Sequence, residues 1–200
     1  MPHTIFNTSV LNTLLRMMSL ILLRILGWRI DGNLPETRKF VLIAAPHTSN
    51  WDAFYMSMVA LVFRVNLYWM GKNTLFRGPV GFVTRFLGGI PIDRSMASGV
   101  VAQSIRVLKE IPEMVLAVPP EGSRKKVSHW KSGFYHIAAG AGVPIVLGYL
   151  DYGRKHTGIG PAIQPTGDLQ RDFEAIRQFY TPMQGKYPWK TSSTGSLHID

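Results

Sequence analysis

The sequence predicts an α/β fold: one domain with a largely parallel or mixed sheet flanked by helices, and an amphipathic helix in front. Three observations lead there. Short apolar runs recur along the chain, nearly continuous in Val, Ile, Leu and Ala, as strands buried on both faces require. Helical patterns alternate with those runs, which is the signature of strand–helix–strand units. The chain has 200 residues, 46% of them hydrophobic and only 17% charged, enough to bury a core and too apolar for a disordered segment.

Taken in order, the first element is the stretch from Ile5 to Ile30, rich in Leu, Ile and Met and without an acidic residue before Asp31. The uncharged run between Arg16 and Arg24, Met17 to Leu23, is seven residues, and the two arginines interrupt any window of about twenty apolar residues that a spanning helix needs. It also lacks the early basic region and small-residue cleavage site of a secretory signal. On a helical wheel Ser9, Asn12, Thr13, Arg16, Ser19 and Arg24 gather on one side, with Leu11, Leu14, Leu15, Met18, Leu22, Ile25 and Leu26 on the other. Such a helix lies in a membrane interface or packs its apolar side on a core. The surplus of Leu and Met, with Trp28 at the far end, favours membrane contact.

Strands are expected at Phe40–Ala45, Leu67–Met70, Gly89–Ile92, Met114–Val118 and Pro144–Tyr149, with a late one near Ile159–Ile163. Helices are expected around Asp52–Val65, Leu75–Phe86, Gly99–Ile111, Gly133–Ala141 and Leu169–Tyr180. Val101, Ile105, Leu108 and Ile111 make a clear helical stripe in the third. Trp69, Phe82 and Phe86 are expected in the core. No linker or internal repeat divides the chain, so residues 1–30 form the leading helix and 31–200 the main domain.

Charge and missing residue types narrow the function. Lys and Arg number 22 against 12 Asp and Glu, a net +10, which suits anionic partners. No nucleic-acid motif or regular interleaving of aromatic with basic residues appears, so nucleic acid is not an expected partner. The absence of cysteine excludes disulfides, thiolate metal sites and a Cys nucleophile. No His-x3-His or His-Glu-x-x-His spacing supports a metal site.

Sites in such folds gather at the carboxyl ends of strands. After the first strand run comes Pro46-His47-Thr48-Ser49-Asn50-Trp51-Asp52. An imidazole can take a proton from an alcohol once a carboxylate on its other nitrogen fixes the tautomer and stabilises the cation formed. His47 and Asp52 fit those roles. Ser49-x-x-Asp52 also reads as a helix cap, with Asp52 favourable in the first turn.

Three further blocks follow: Gly88-Gly89-Ile90-Pro91-Ile92-Asp93-Arg94, then Pro119-Pro120-Glu121-Gly122-Ser123-Arg124, then Gly142-Val143-Pro144-Ile145-Val146. In this order the four blocks resemble the glycerophosphate acyltransferase family, which includes the lysophosphatidate acyltransferases, over about Val41 to Gly148. That resemblance implies that residues 31–200 are an acyltransferase domain with His47 as general base and Asp52 as its partner. It implies that Arg94 binds the acceptor's phosphate, and that Glu121, Gly122, Ser123 and Arg124 hold the acceptor. Glu121 can equally pair with Arg124 or Arg94 and hold the site rigid. In the last block Leu147 stands where the family has a second proline, which bears on acyl-chain preference.

The implied reaction moves a fatty acyl chain from acyl-CoA or an acyl carrier protein to a hydroxyl of a lysophosphatidate-like acceptor, with no cofactor. The expected location is the cytoplasmic face of a membrane, peripheral or monotopic, on an anionic surface. Two other readings stay open: a lipid ester hydrolase using the same pair, and a basic membrane-binding module without catalysis. No Gly-x-Ser-x-Gly elbow suggests a covalent acyl-enzyme.

Overall fold

The apolar runs assemble into a seven-stranded sheet covered by helices on both faces. The computed structural model describes residues 3–93, 97–192 and 197–198. The strands are β1 (Arg29–Gly32), β2 (Lys39–Ala45), β3 (Leu67–Lys72), β4 (Gly89–Ile92), β5 (Met114–Val118), β6 (Trp130–Lys131), β7 (Ile145–Asp151), β8 (His156–Ile163) and β9 (Leu197–His198). The helices are α1 (Ser9–Ile25), α2 (Trp51–Phe63), α3 (Gly78–Phe86), α4 (Ala97–Glu110), α5 (Gly133–Ala141) and α6 (Leu169–Tyr180), with a 3-10 turn at Asn73–Phe76 before α3.

The sheet runs β1-β8-β7-β2-β5-β3-β4, and β6 pairs separately with β9. Every pair in the large sheet is parallel except β7–β8. The exception follows from chain length, because residues 152–155 are far too few for the crossover of a dozen or so residues that a parallel return requires. The mixed, mostly parallel sheet is therefore the expected fold.

Alternation along β2 divides the core. Val41, Ile43 and Ala45 pack with Leu108 of α4, Phe134 and Ile137 of α5, and Phe173 and Ile176 of α6. Phe40 and Leu42 face the other way, with Leu23 of α1, Met56 and Leu61 of α2, and Phe86 of α3. One layer thus holds α4–α6 and the other α1–α3.

On the α1–α3 side the structure orients α1 and corrects two expectations, for Trp28 and Phe82. In α1 the inward side mixes polar and apolar residues: Asn12, Ser19 and Leu23 are buried, whereas Val10, Leu14, Met18, Ile21 and Ile25 are exposed, as are Ser9, Thr13 and Arg24. Asn12 donates to the Phe6 carbonyl and Arg16 to that of Val62, so hydrogen bonds join these two to neighbouring backbone, while Leu11 and Leu15 pack partly buried on the core and the rest of the apolar side faces out. Trp28 is not at the surface but buried between Tyr55 and Tyr152, at ring separations of 4.8 and 5.0 Å. Phe82, expected in the core, is 74% exposed. Among the described residues no helix is long and apolar enough to cross a membrane.

Candidate active site

β2 is central, flanked by β5 and β7, so the turn after it opens in the middle of the sheet's carboxyl edge. His47 sits in that turn and Asp52 in the first turn of α2. The chain folds back between them: Asp52 Oδ2 accepts from the Thr48 and Ser49 amides at 2.7 and 2.8 Å. These are free donors at the mouth of a helix, and a carboxylate there is favourable. The same oxygen lies 3.3 Å from His47 Nδ1, while Oδ1 accepts from the Tyr152 hydroxyl at 2.7 Å. The capping and pairing roles of Asp52, alternatives in the sequence, coincide in one side chain. Ser49 does not cap α2 as the four-residue pattern suggests; its hydroxyl accepts from the Trp51 amide at 3.2 Å.

Asp52 is 2% exposed. Burial alone would raise its pKa, but His47, Tyr152 and the two amides outweigh it and hold the carboxyl below its usual range. Tyr152 is pushed the other way, by burial first and then by its bond to that carboxylate, so it stays a donor. A neutral His47 with its proton on Nδ1 directs that proton at Asp52 and leaves Nε2 with a free lone pair. The His47 side chain is 19% exposed, sheltered but open on one side.

Glu121 reaches the same place from the loop after β5. Its Oε1 accepts from the His47 backbone amide at 3.0 Å, tying the two strand ends together. Of the alternatives open for Glu121, a pair with Arg124 does not form: the arginine is exposed and makes no hydrogen bond or ion pair with another described residue. Burial raises the Glu121 pKa, and the His47 amide offsets it only in part. A cleft of about 390 Å³ opens beside Glu121, lined also by Pro46, Lys126, Trp130, Arg177 and Ser192. Glu121 Oε2 and Trp130 Nε1 are buried on its wall without a hydrogen-bond partner among the described residues.

Gly122 takes a positive φ of 63°, and its amide closes a turn onto the Pro119 carbonyl. A Cβ there would press on the Lys131 side chain at 3.3 Å, so a glycine suits both the backbone and the space. The Ser123 hydroxyl accepts from the Lys125 amide at 3.3 Å within the same loop. Arg94 lies outside the described residues. Of the candidate residues the structure therefore brings together His47, Asp52 and Glu121, keeps Gly122 and Ser123 in the adjoining loop, and leaves Arg124 on the surface.

Tyr152 was not among the sequence candidates. It follows β7 directly and so occupies a strand end, the signal that marked His47; an aromatic residue there drew no attention. Lys126 and Arg177 on the cleft wall were missed as well, the second because it comes from distant α6.

Fold and site together define an α/β protein presenting a histidine–carboxylate pair at the carboxyl end of a central parallel strand. The family model described as Acyltransferase matches residues 28–147, a span holding β1 to β5, α2 to α5 and the whole His47/Asp52/Glu121 cluster. The chain belongs to the acyltransferase family and is an acyltransferase. Among solved structures it is similar to the 1-acyl-sn-glycerophosphate (LPA) acyltransferase PlsC from Thermotoga maritima, with a TM-score of 0.60 and 20% identity over 84% of this chain and 78% of that one. That likeness is one of fold. No curated protein sequence matches the chain.

Proposed function

We propose that the protein moves a fatty acyl chain from an acyl thioester to a hydroxyl of a lysophosphatidate-like glycerophospholipid, with His47 as general base. The observation that carries this reading is the His47–Asp52 pair, standing inside the span matched by the family model. The activity of the structural neighbour, a 1-acyl-sn-glycerophosphate acyltransferase, supports the choice of acceptor. The donor is acyl-CoA or an acylated carrier protein.

In the reaction His47 Nε2 takes the acceptor's hydroxyl proton as that oxygen attacks the thioester carbonyl. The tetrahedral intermediate collapses, the C–S bond breaks, and the imidazolium returns its proton to the departing sulfur. Atoms and charge balance with no cofactor. Asp52, held ionised by its three donors, stabilises the imidazolium and fixes the ring. The acceptor's head fits the cleft beside Glu121: Lys126 offers positive charge for a phosphate, Arg177 stands on the same wall in an ion pair with Glu174, and Glu121 and Trp130 line the cleft as well. Arg94 and Arg124 add anion contacts.

The chain also acts at an anionic membrane surface as a peripheral or monotopic protein on the cytoplasmic face. The outward apolar stripe of α1, with Arg24 and Arg29 exposed beside it, supports this.

The test is to incubate the purified protein with radiolabelled acyl-CoA and a panel of lysolipids, and to separate lipid-bound label from free acid. Label on lysophosphatidate supports the proposal. Release of free acid alone means a hydrolase, and no turnover means a binding module.

A further inference from the structure

α3 is a short helix that turns almost all of its apolar surface outwards. Its single buried residue is Gly81, whose Cα sits so close to the Phe76 backbone that an added Cβ would lie 2.3 Å from the Phe76 carbonyl. The helix is held by that close approach and by polar bonds. Thr84 donates to the Leu75 carbonyl at 2.8 Å, and Arg85 to that of Phe76 at 3.1 Å. Val80, Phe82 and Val83 are left over, 53% to 74% exposed. Apart from the Phe82 ring stacking on that of Phe86, with centroids 6.5 Å apart, these three side chains pack on nothing that docks the nine-residue helix, and most of their surface faces outwards.

The patch is not isolated. The Ile5 amide bonds the Phe86 carbonyl at 3.0 Å, so the segment leading into α1 is fastened to the end of α3. Leu11 and Leu15 of α1 pack against the same cluster as Phe86. The exposed apolar stripe of α1 and that of α3 thus lie on the same side of the sheet, joined at that fastening. Among the described residues, almost every large exposed apolar side chain belongs to this side, on α1, the first turn of α2, or the segment from Leu75 to Leu87; the exception is Trp189. Trp51 and Phe54, in that first turn of α2, flank Asp52, so the surface borders the active site.

Charge decides what covers it. No acidic residue precedes Asp31, and none lies between Asp52 and Asp93, whereas Arg24, Arg29, Lys72, Arg77 and Arg85 are exposed there. A second copy of the chain docked through this surface would bring like charges together, which disfavours it. An anionic leaflet satisfies both the apolar centre and the basic flanks.

We propose that α3 is a second membrane-inserting element, with Val80, Phe82 and Val83 entering the same leaflet as α1, so that the bilayer is gripped on both sides of the fastening at Ile5. This extends the reading of α1 as an interfacial helix and adds a contact that reading does not contain.

The natural absence of cysteine makes the test direct, since any introduced thiol is unique. Phe82→Cys, Ile21→Cys and Gln178→Cys, the last on α6, are each labelled with an environment-sensitive dye in the full chain. Each is then mixed with phosphatidylcholine–phosphatidylglycerol vesicles carrying a nitroxide lipid quencher. The expected result is a blue shift and quenching at 21 and 82, with neither at 178. In the unlabelled chain, Phe82→Ser should lower vesicle partitioning on the order of tenfold with an unchanged melting curve. A dye at 82 that stays water-like while the one at 21 inserts overturns the role of α3 and leaves that of α1 standing. Failure at both positions overturns both. A dye at 82 that is already shielded without lipid points to a protein partner and also overturns the proposal.

Discussion

Asp52 and Glu121 are the same kind of group in two neighbouring turns, both buried, and they titrate in opposite directions. Asp52 has the Thr48 and Ser49 amides, the Tyr152 hydroxyl and the His47 ring around it; its charge is held and its pKa falls. Glu121 has one amide on Oε1, nothing described on Oε2, and its pKa rises. Burial pushes both upwards, so the number of donors decides the sign. The first turn keeps a fixed negative charge against a histidine. The second keeps a carboxyl that is easily neutralised, facing a cleft that fits a polar head group.

The largest effect that can break this contrast comes from Asp52→Asn. The amide keeps one acceptor but sets an NH2 group among donors, and it cannot stabilise an imidazolium. Turnover should fall by about 10²–10⁴-fold, and chemical denaturation should show a loss of about 1–3 kcal/mol. An unchanged rate reduces Asp52 to a helix cap.

Next is Glu121→Gln, read as stability against pH. The unfolded chain releases this proton at the ordinary value, whereas the folded protein retains it to higher pH. Between those two values the folded state binds more protons, so wild-type stability falls as pH rises through that window. Asp52 has the opposite sign: its contribution is present above the ordinary carboxylate range and is lost as pH falls through its lowered folded value. The Gln variant lacks the Glu121 loss, so its stability relative to wild type should increase with pH above the ordinary value of 4.5. A flat difference across that range means that Glu121 is not held neutral. Its KM for a lysophosphatidate acceptor should rise while the KM for acyl-CoA changes less.

The smallest expected effect sharpens the comparison. Tyr152→Phe removes the donor to Asp52 Oδ1, making Asp52 more like Glu121. Stability should fall by about 1 kcal/mol, and the lower limb of the kcat/KM–pH profile should move upwards. A profile that stays in place assigns Tyr152 to packing with Trp28 and Tyr55 alone.

Much of this arrangement is legible in the residues. The inner strands of the sheet are continuous apolar runs, the strand-end rule brings His47 and Asp52 into view, and the family resemblance adds Glu121. What escapes is set by partners distant in sequence. β1, Arg29–Gly32, is a mostly exposed edge strand with little apolar content, and it exists because β8 pairs with it. Tyr152 is an unremarkable aromatic until β7 places it over Asp52. The wheel of α1 shows two faces, but which residues turn inwards depends on hydrogen bonds to the Phe6 and Val62 carbonyls. Phe82 passes for a core residue because only the Gly81–Phe76 contact reveals that α3 docks on its other side.

The most direct test of the central claim is acyl transfer by His47→Ala. Turnover of labelled acyl-CoA with lysophosphatidate is compared with wild type, alongside a melting curve. The Nδ1–Asp52 geometry predicts a folded protein whose kcat falls by about 10²–10⁴-fold. A folded variant that transfers acyl chains at the wild-type rate would contradict the assignment of His47 as the base.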